Sequence, residues 1–252
     1  MPTQISAYSK RTFAAATQKG HKIKHDVYER GVGKVVVIIQ ELPGIGQETL
    51  ALADQFVNRG YKVVLPHLFG PIGKISMKAN LIRVFCMRRE FRVFAKSKSS
   101  PIVDWLGALC IQVKEENLVS GVAVIGMCLT GNFAISLMAN DAVLASYASQ
   151  PSLPLQDQNA THLSKDEIDI IKARIDEVGP IHCKRFEGDK ICAAQRFELL
   201  EAQFNDGKQR IITETLPGDG HSILTLDFVD EAGHPTRRAL DDIMEYFDRQ
   251  LS

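Results

Sequence analysis

Val122-Ala123-Val124-Ile125-Gly126-Met127-Cys128-Leu129-Thr130-Gly131 is the stretch on which the reading of this 252-residue chain turns. Its apolar, β-branched first half predicts a short strand covered on both faces. A tight turn with Cys128 at its apex follows, and then a helix over residues 132–139. Gly126 and Gly131 flank the cysteine in the spacing Gly-x-Cys-x-x-Gly, that of a nucleophile elbow. Such a turn strains its central residue and brings two backbones together, so small residues are needed around it. The helix would direct its free amides and positive dipole end at the sulfur, an arrangement that favours a thiolate. A cysteine in an apolar run is otherwise an inert core residue. Which of the two this one is depends on the rest of the chain.

Bulk composition narrows the field. Hydrophobic residues make up 45% and charged residues 24%, enough for a full core and too balanced for disorder. Lys+Arg and Asp+Glu both number 30, so no global field points to nucleic acid or a membrane surface, and neither is an expected partner. Five cysteines (Cys86, Cys110, Cys128, Cys183 and Cys192) follow no repeating pattern, which argues against a disulfide framework and for a reducing compartment. The polar start of the chain has no apolar targeting segment, and no transmembrane span is expected. A cytoplasmic location is the resulting expectation.

From Lys34 onward, strand and helix alternate. Residues 34–40 (Lys-Val-Val-Val-Ile-Ile-Gln) predict a buried strand, and Glu41-Leu42-Pro43-Gly44-Ile45-Gly46 a loop able to approach a ligand. A helix over 47–59 and a strand over 61–66 complete a βαβ unit, hence a parallel sheet. Ser100-Pro101 opens a helix bearing Trp105 and Leu109, which leads to the elbow strand. A strand over 142–148 is next, then a helix from the capping box Ser164-Lys165-Asp166-Glu167. Strands over 180–186 and 211–216 frame a helix over 193–205, and a helix from about Thr236 closes the chain. One doubly wound α/β domain over 1–252 is the economical answer. Two regions resist this reading. Residues 1–30 are an extension or sheet-edge elements, in which His21 and His25, four apart, could share a helix face but lack a third metal ligand. Residues 71–99 hold eight basic residues against Glu90 alone, a variable basic segment that is either a cover attracting an anionic substrate or a solvated helix face.

In a parallel sheet, reactive groups sit in loops beyond the carboxyl ends of strands. Four such loops carry Glu41, Cys128, Asp189 and His221. The order of nucleophile, acid and histidine is that of α/β-hydrolases. His221 would exchange the proton of Cys128, and Asp189 would orient the imidazole. The amides of Leu42 and Leu129 would form an oxyanion hole.

On these residues the chain resembles the dienelactone hydrolase (carboxymethylenebutenolidase) family over roughly residues 30–250. The family elbow Gly-x-Cys-x-Gly-Gly stands here as Gly126-Met127-Cys128-Leu129-Thr130-Gly131. Its His-Glu-x-x-Gly stands as Gln40-Glu41-Leu42-Pro43-Gly44, its Pro-Asp-Leu-Tyr as Pro66-His67-Leu68-Phe69, and its histidine loop as Gly220-His221-Ser222. The resemblance implies an α/β-hydrolase fold and hydrolysis of a small ester or lactone, anionic in the family's own case, through a thioester. No cofactor or metal is expected. It also implies a gating role for Glu41 toward Cys128, and substrate contacts from Ser222 and from arginines such as Arg83 or Arg88. Thr225 stands where a substrate arginine is often found. The alternatives are a promiscuous carboxylesterase and a non-catalytic α/β-hydrolase-like binding protein. A class-I amidotransferase-like or DJ-1-like protein is disfavoured, because no histidine lies between Cys128 and His162. The chain is expected to be a monomer or homodimer.

Overall fold

The computed structural model describes residues 2–18, 20–73, 76, 100–152 and 163–252. Their strands form one eight-stranded sheet in the order β1-β2-β4-β3-β5-β6-β7-β8. In chain order the strands are β1 (Ser9–Ala16), β2 (Lys22–Arg30), β3 (Lys34–Ile39), β4 (Tyr61–His67), β5 (Val122–Met127), β6 (Val143–Ser149), β7 (Ile181–Phe186) and β8 (Ile211–Leu216). The helices are α1 (Gln47–Asn58), α2 (Pro101–Glu116), α3 (Gly131–Leu137), α4 (Lys165–Val178), α5 (Ala194–Phe204) and α6 (Pro235–Gln250). β3 to β8 are mutually parallel, so β3, β5, β7 and β8 end at the same rim.

The central strands read as unbroken apolar runs because both of their faces are covered. In β3, Val35, Val37 and Ile39 enter one core while Val36 and Ile38 enter the other. In β5, Val122 and Val124 face the first core, and Ala123, Ile125 and Met127 the second. The first core is closed by Trp105 and Leu109 of α2, Ile135 of α3, Ile171 and Ile175 of α4, and Leu200 and Phe204 of α5. The second is closed by Leu50 and Phe56 of α1 and by Leu240, Ile243 and Phe247 of α6. Helices thus cover both faces, as the doubly wound reading requires. Each fully buried aliphatic side chain, such as Ile38, is worth about 2 kcal/mol of transfer free energy. At the start of α4 the predicted capping box forms: Ser164 N donates to Glu167 Oε2 (2.7 Å) and Glu167 N to Ser164 Oγ (3.2 Å).

The first thirty residues build the sheet edge. β1 and β2 pair as an antiparallel hairpin, Ser9 opposite Glu29 through Ala16 opposite Lys22, and β2 runs antiparallel to β4. The suggested helix face for His21 and His25 does not exist. His25 lies in β2, where its ring stands edge-on to Trp105 at 5.1 Å, while His21 precedes the strand. The elbow helix begins one residue earlier than predicted, directly after a 3-10 turn over Cys128–Thr130, and ends two residues earlier, at Leu137. Most of the basic segment, including Arg83 and Arg88, lies outside the described residues.

Candidate active site

The elbow is built as its glycines require. Cys128 adopts φ +56°, left-handed backbone that a non-glycine residue enters only when its surroundings enforce it. A Cβ at Gly126 would stand 2.1 Å from the carbonyl oxygen of Thr130, and one at Gly131 would stand 2.9 Å from Cα of Pro151. Thr130, a glycine in the family pattern, stitches the turn to its neighbour. Its hydroxyl accepts from Met127 N (3.0 Å) and lies within donating distance of the Met127 (2.9 Å) and Ile39 (3.2 Å) carbonyls.

β7 delivers Asp189 to the same rim. Its carboxylate Oδ1 accepts the amides of Ile191 (2.8 Å) and Cys192 (2.9 Å). Oδ2 accepts from Nδ1 of His221 at 2.7 Å, and the Asp189 side chain has no exposed surface. His221 lies beyond β8 in a loop clamped by Asp227, whose Oδ2 accepts the amides of His221 and Ser222, both at 2.8 Å. The two loops touch at Gly188, where a Cβ would stand 2.0 Å from Asp219 Oδ1; within the histidine loop, a Cβ on Gly220 would stand 2.7 Å from Asp227 Cγ.

This setting decides the protonation of His221. Burial disfavours the charged ring, but the carboxylate of Asp189 and then the nearby sulfur of Cys128 overcome it, and the imidazole pKa rises to about 10. Nε2 is buried and forms no hydrogen bond with any described residue. The sulfur therefore acts on the ring by close approach, without a formed hydrogen bond. Cys128 is 2% exposed, and its Sγ lies 3.2 Å from Ser152 Oγ.

Glu41, buried beyond β3, is held by hydroxyls. Ser222 Oγ donates to its Oε2 at 2.9 Å, and Thr225 Oγ1 donates to Oε1. Burial raises its pKa; the two hydroxyls and the charge of His221 oppose that rise, and Asp227 adds to it. Thr225, where the resemblance led one to look for an arginine, is thus a ligand of this carboxyl. Leu42 and Leu129 are buried and correspond across the sheet. The parallel register pairs Ile39 with Gly126, and each leucine lies three residues beyond.

The structure accordingly gathers Cys128, Asp189, His221, Glu41 and Ser222 at one rim, with Leu42 and Leu129 at adjacent strand ends. Arg83 and Arg88 lie outside the described residues. Sequence reasoning missed Ser152, Asp227 and the bond from Thr225 to Glu41. A polar residue in a loop carries no periodic signal, and Asp227 bonds amides five and six residues upstream, beyond the two-residue reach of an Asx turn. Among the described residues no three His, Cys, Asp or Glu side chains gather into a metal-binding group. No helix among them is long and apolar enough to cross a membrane.

A family model described as the dienelactone hydrolase family matches residues 26–251. Among solved structures, a proposed dienelactone hydrolase from Klebsiella pneumoniae subsp. pneumoniae superposes with a TM-score of 0.68 at 12% identity, covering 96% of this chain and 99% of its own. A dienelactone hydrolase-like promiscuous phosphotriesterase from metagenomic libraries gives 0.65 at 13% identity, covering 98% and 100%. A Pyrococcus furiosus esterase gives 0.62 at 11% identity, covering 98% and 93%. At these identities the likeness establishes the α/β-hydrolase fold. No match to the chain is found among curated protein sequences.

Proposed function

Because the chain belongs to the dienelactone hydrolase family, we propose that it hydrolyses a small ester or lactone, with Cys128 as nucleophile and Asp189 and His221 completing a triad. The observation that carries this reading is the position of the His221 imidazole. Its Nδ1 is bonded to Asp189, its Nε2 is buried and free of other bonds to described residues, and Asp189 and the sulfur of Cys128 together raise its pKa to about 10 against the opposing effect of burial.

At neutral pH that proton sits on the ring, the form that pairs with an anionic sulfur. The sulfur attacks the ester carbonyl carbon, and the carbonyl electron pair moves onto oxygen. The amides of Leu42 and Leu129 receive this oxyanion, each typically worth about 3 kcal/mol on the barrier. Collapse breaks the carbon–oxygen bond to the leaving group, which takes the proton from His221 Nε2. A thioester on Cys128 and a neutral imidazole remain. Nε2 then removes a proton from water, the hydroxide adds to the thioester, and the second collapse expels the sulfur. Ester and water have become acid and alcohol, or one hydroxy acid from a lactone, and the proton is back on His221. Burial favours the neutral form of Glu41, the form in which a carboxyl meets an anionic sulfur without like-charge repulsion. That is consistent with Glu41 as the gate of Cys128, displaced as substrate enters.

A carboxymethylenebutenolidase-type lactone is the specific candidate. One observation favours the second reading, a carboxylesterase acting on uncharged substrates: Thr225, a neutral hydroxyl bound to Glu41, offers no grip for a substrate carboxylate. A panel of lactones and p-nitrophenyl esters separates the two. Cys128→Ala should lower turnover of every active substrate by about 10⁴-fold or more while the fold survives. Retention of full activity by that variant would end the proposal.

A further inference from the structure

No step above uses the contact between Cys128 Sγ and Ser152 Oγ. It is a built feature. Both residues are buried, and among the described residues the sulfur is the only partner of the Ser152 hydroxyl. The backbone groups of Ser152 are committed as well. Its N–H donates to the Cys128 carbonyl at 3.1 Å, and its carbonyl accepts from Asn132 Nδ2 at 2.9 Å. The same amide group donates to the Leu129 carbonyl at 3.2 Å, so it ties both chains of the elbow. Arg196 of α5 in turn donates Nη2 to Asn132 Oδ1 at 2.5 Å. Arg196 and Asn132 are both buried, where a hydrogen bond left unmade is costly.

The loop carrying Ser152 also stores strain. Gln150 adopts φ +36°, and its amide is fastened to the carbonyl of Lys184 in β7 at 2.7 Å. The turn leaving β6 is thus forced into a rare conformation, and two residues later it presents a hydroxyl to the sulfur.

We propose that Ser152 supplies a catalytic hydroxyl to this site: it donates to the anionic sulfur of Cys128 and fixes the rotamer from which that sulfur attacks, while Asn132 and Arg196 act as positioning residues. The inference rests on reading Cys128 as the nucleophile. A neutral hydroxyl stabilises the anion without competing with His221 for the proton, and hydrogen bonds to a charged acceptor are the strong ones. The reverse arrangement, with the thiol donating to Ser152 Oγ, would retain the proton on sulfur and has the opposite consequence on substitution.

The test measures iodoacetamide alkylation of Cys128, located by peptide mass, against pH in the full-length protein, alongside kcat and KM on a p-nitrophenyl ester. In Ser152→Ala the alkylation midpoint should rise by about one pH unit, a tenfold change in ionisation, and kcat should fall about tenfold with little change in KM. Ser152→Gly, which also lacks the hydroxyl, should give the same shift and replaces alanine should that variant not fold. Ser152→Thr keeps the hydroxyl and should keep the wild-type midpoint. An unmoved or lowered midpoint in the variants without a hydroxyl overturns the proposal, as does a threonine variant shifted as far as alanine. Alkylation needs no turnover, so this outcome is independent of whether Cys128→Ala abolishes hydrolysis, the result on which the proposed function stands.

Discussion

Two buried carboxyls lie within reach of His221, and their loops treat them differently. Asp189 receives two backbone amides and the imidazole Nδ1–H. Glu41 receives two side-chain hydroxyls. The amides around Asp189 are fixed by the course of the chain after β7 and cannot turn away. The hydroxyls around Glu41 belong to rotatable side chains on the histidine loop. The result is visible in the chemistry. Asp189 is the strongest influence raising the pKa of His221, whereas Glu41 itself is pushed upward by burial that its hydroxyls do not offset. One carboxyl raises the pKa of the imidazole bonded to it, and the other favours keeping a proton. Burial is common to both, so the donors make the difference.

The largest test of this contrast is Asp189→Asn. It should lower kcat by about 10³ to 10⁴-fold, as loss of the orienting carboxylate does in triads generally. In the same variant the imidazole, followed by NMR titration, should fall from about 10 toward the ordinary histidine range. An unchanged titration would mean that Asp189 is not the source of the basicity.

A smaller effect is expected in stability. The folded pKa of His221 is raised, so the stabilisation from its protonated ring is complete below the unfolded value of about 6.5. It is lost as pH rises through about 10. Denaturant titrations of wild-type protein should show this decline across that window, and His221→Gln should flatten it. A decline of equal size in both would assign it to other groups.

The smallest effect concerns Glu41, for which the sign follows from the same linkage. Its folded pKa is also raised, so on raising the pH the unfolded chain ionises first. The folded state therefore loses stability as pH climbs from about 4.5, the usual range of a glutamate. Glu41→Gln should lack this component and be relatively more stable at neutral pH. If Glu41→Gln instead loses stability at pH 7 relative to wild type, the carboxyl is held as an anion, and the contrast with Asp189 collapses.

Much of the fold was legible because burial leaves a period. β3 and β5 carry apolar residues on both faces, α6 places Leu240, Ile243 and Phe247 on one stripe, and Ser164 with Glu167 announces the start of α4. The hairpin of β1 and β2 was not legible. In β1 only Phe13 is fully buried and its inward neighbours Arg11 and Ala15 are half-buried, so the period of two in burial is not matched by a period of two in apolar residues. Of the site, Cys128, Asp189 and His221 were readable as reactive residues just beyond strand ends. Ser152 was not, since no pattern marks a serine in a loop as the neighbour of a sulfur.

What the sequence determined by itself was the elbow and the succession of strands and helices on either side of it. Gly126, Cys128 and Gly131 demand a sharp turn through short-range sterics, and the apolar runs demand a covered sheet. What only the tertiary structure decided was the partner of each reactive group. The bonds of Glu41 to Ser222 and Thr225 span 181 and 184 residues, and that of Asp189 to His221 spans 32. The physical reason is one of range. Backbone conformation and periodicity are set by neighbours a few residues apart, whereas the state of a buried charge is set by whichever donors the closed sheet brings beside it.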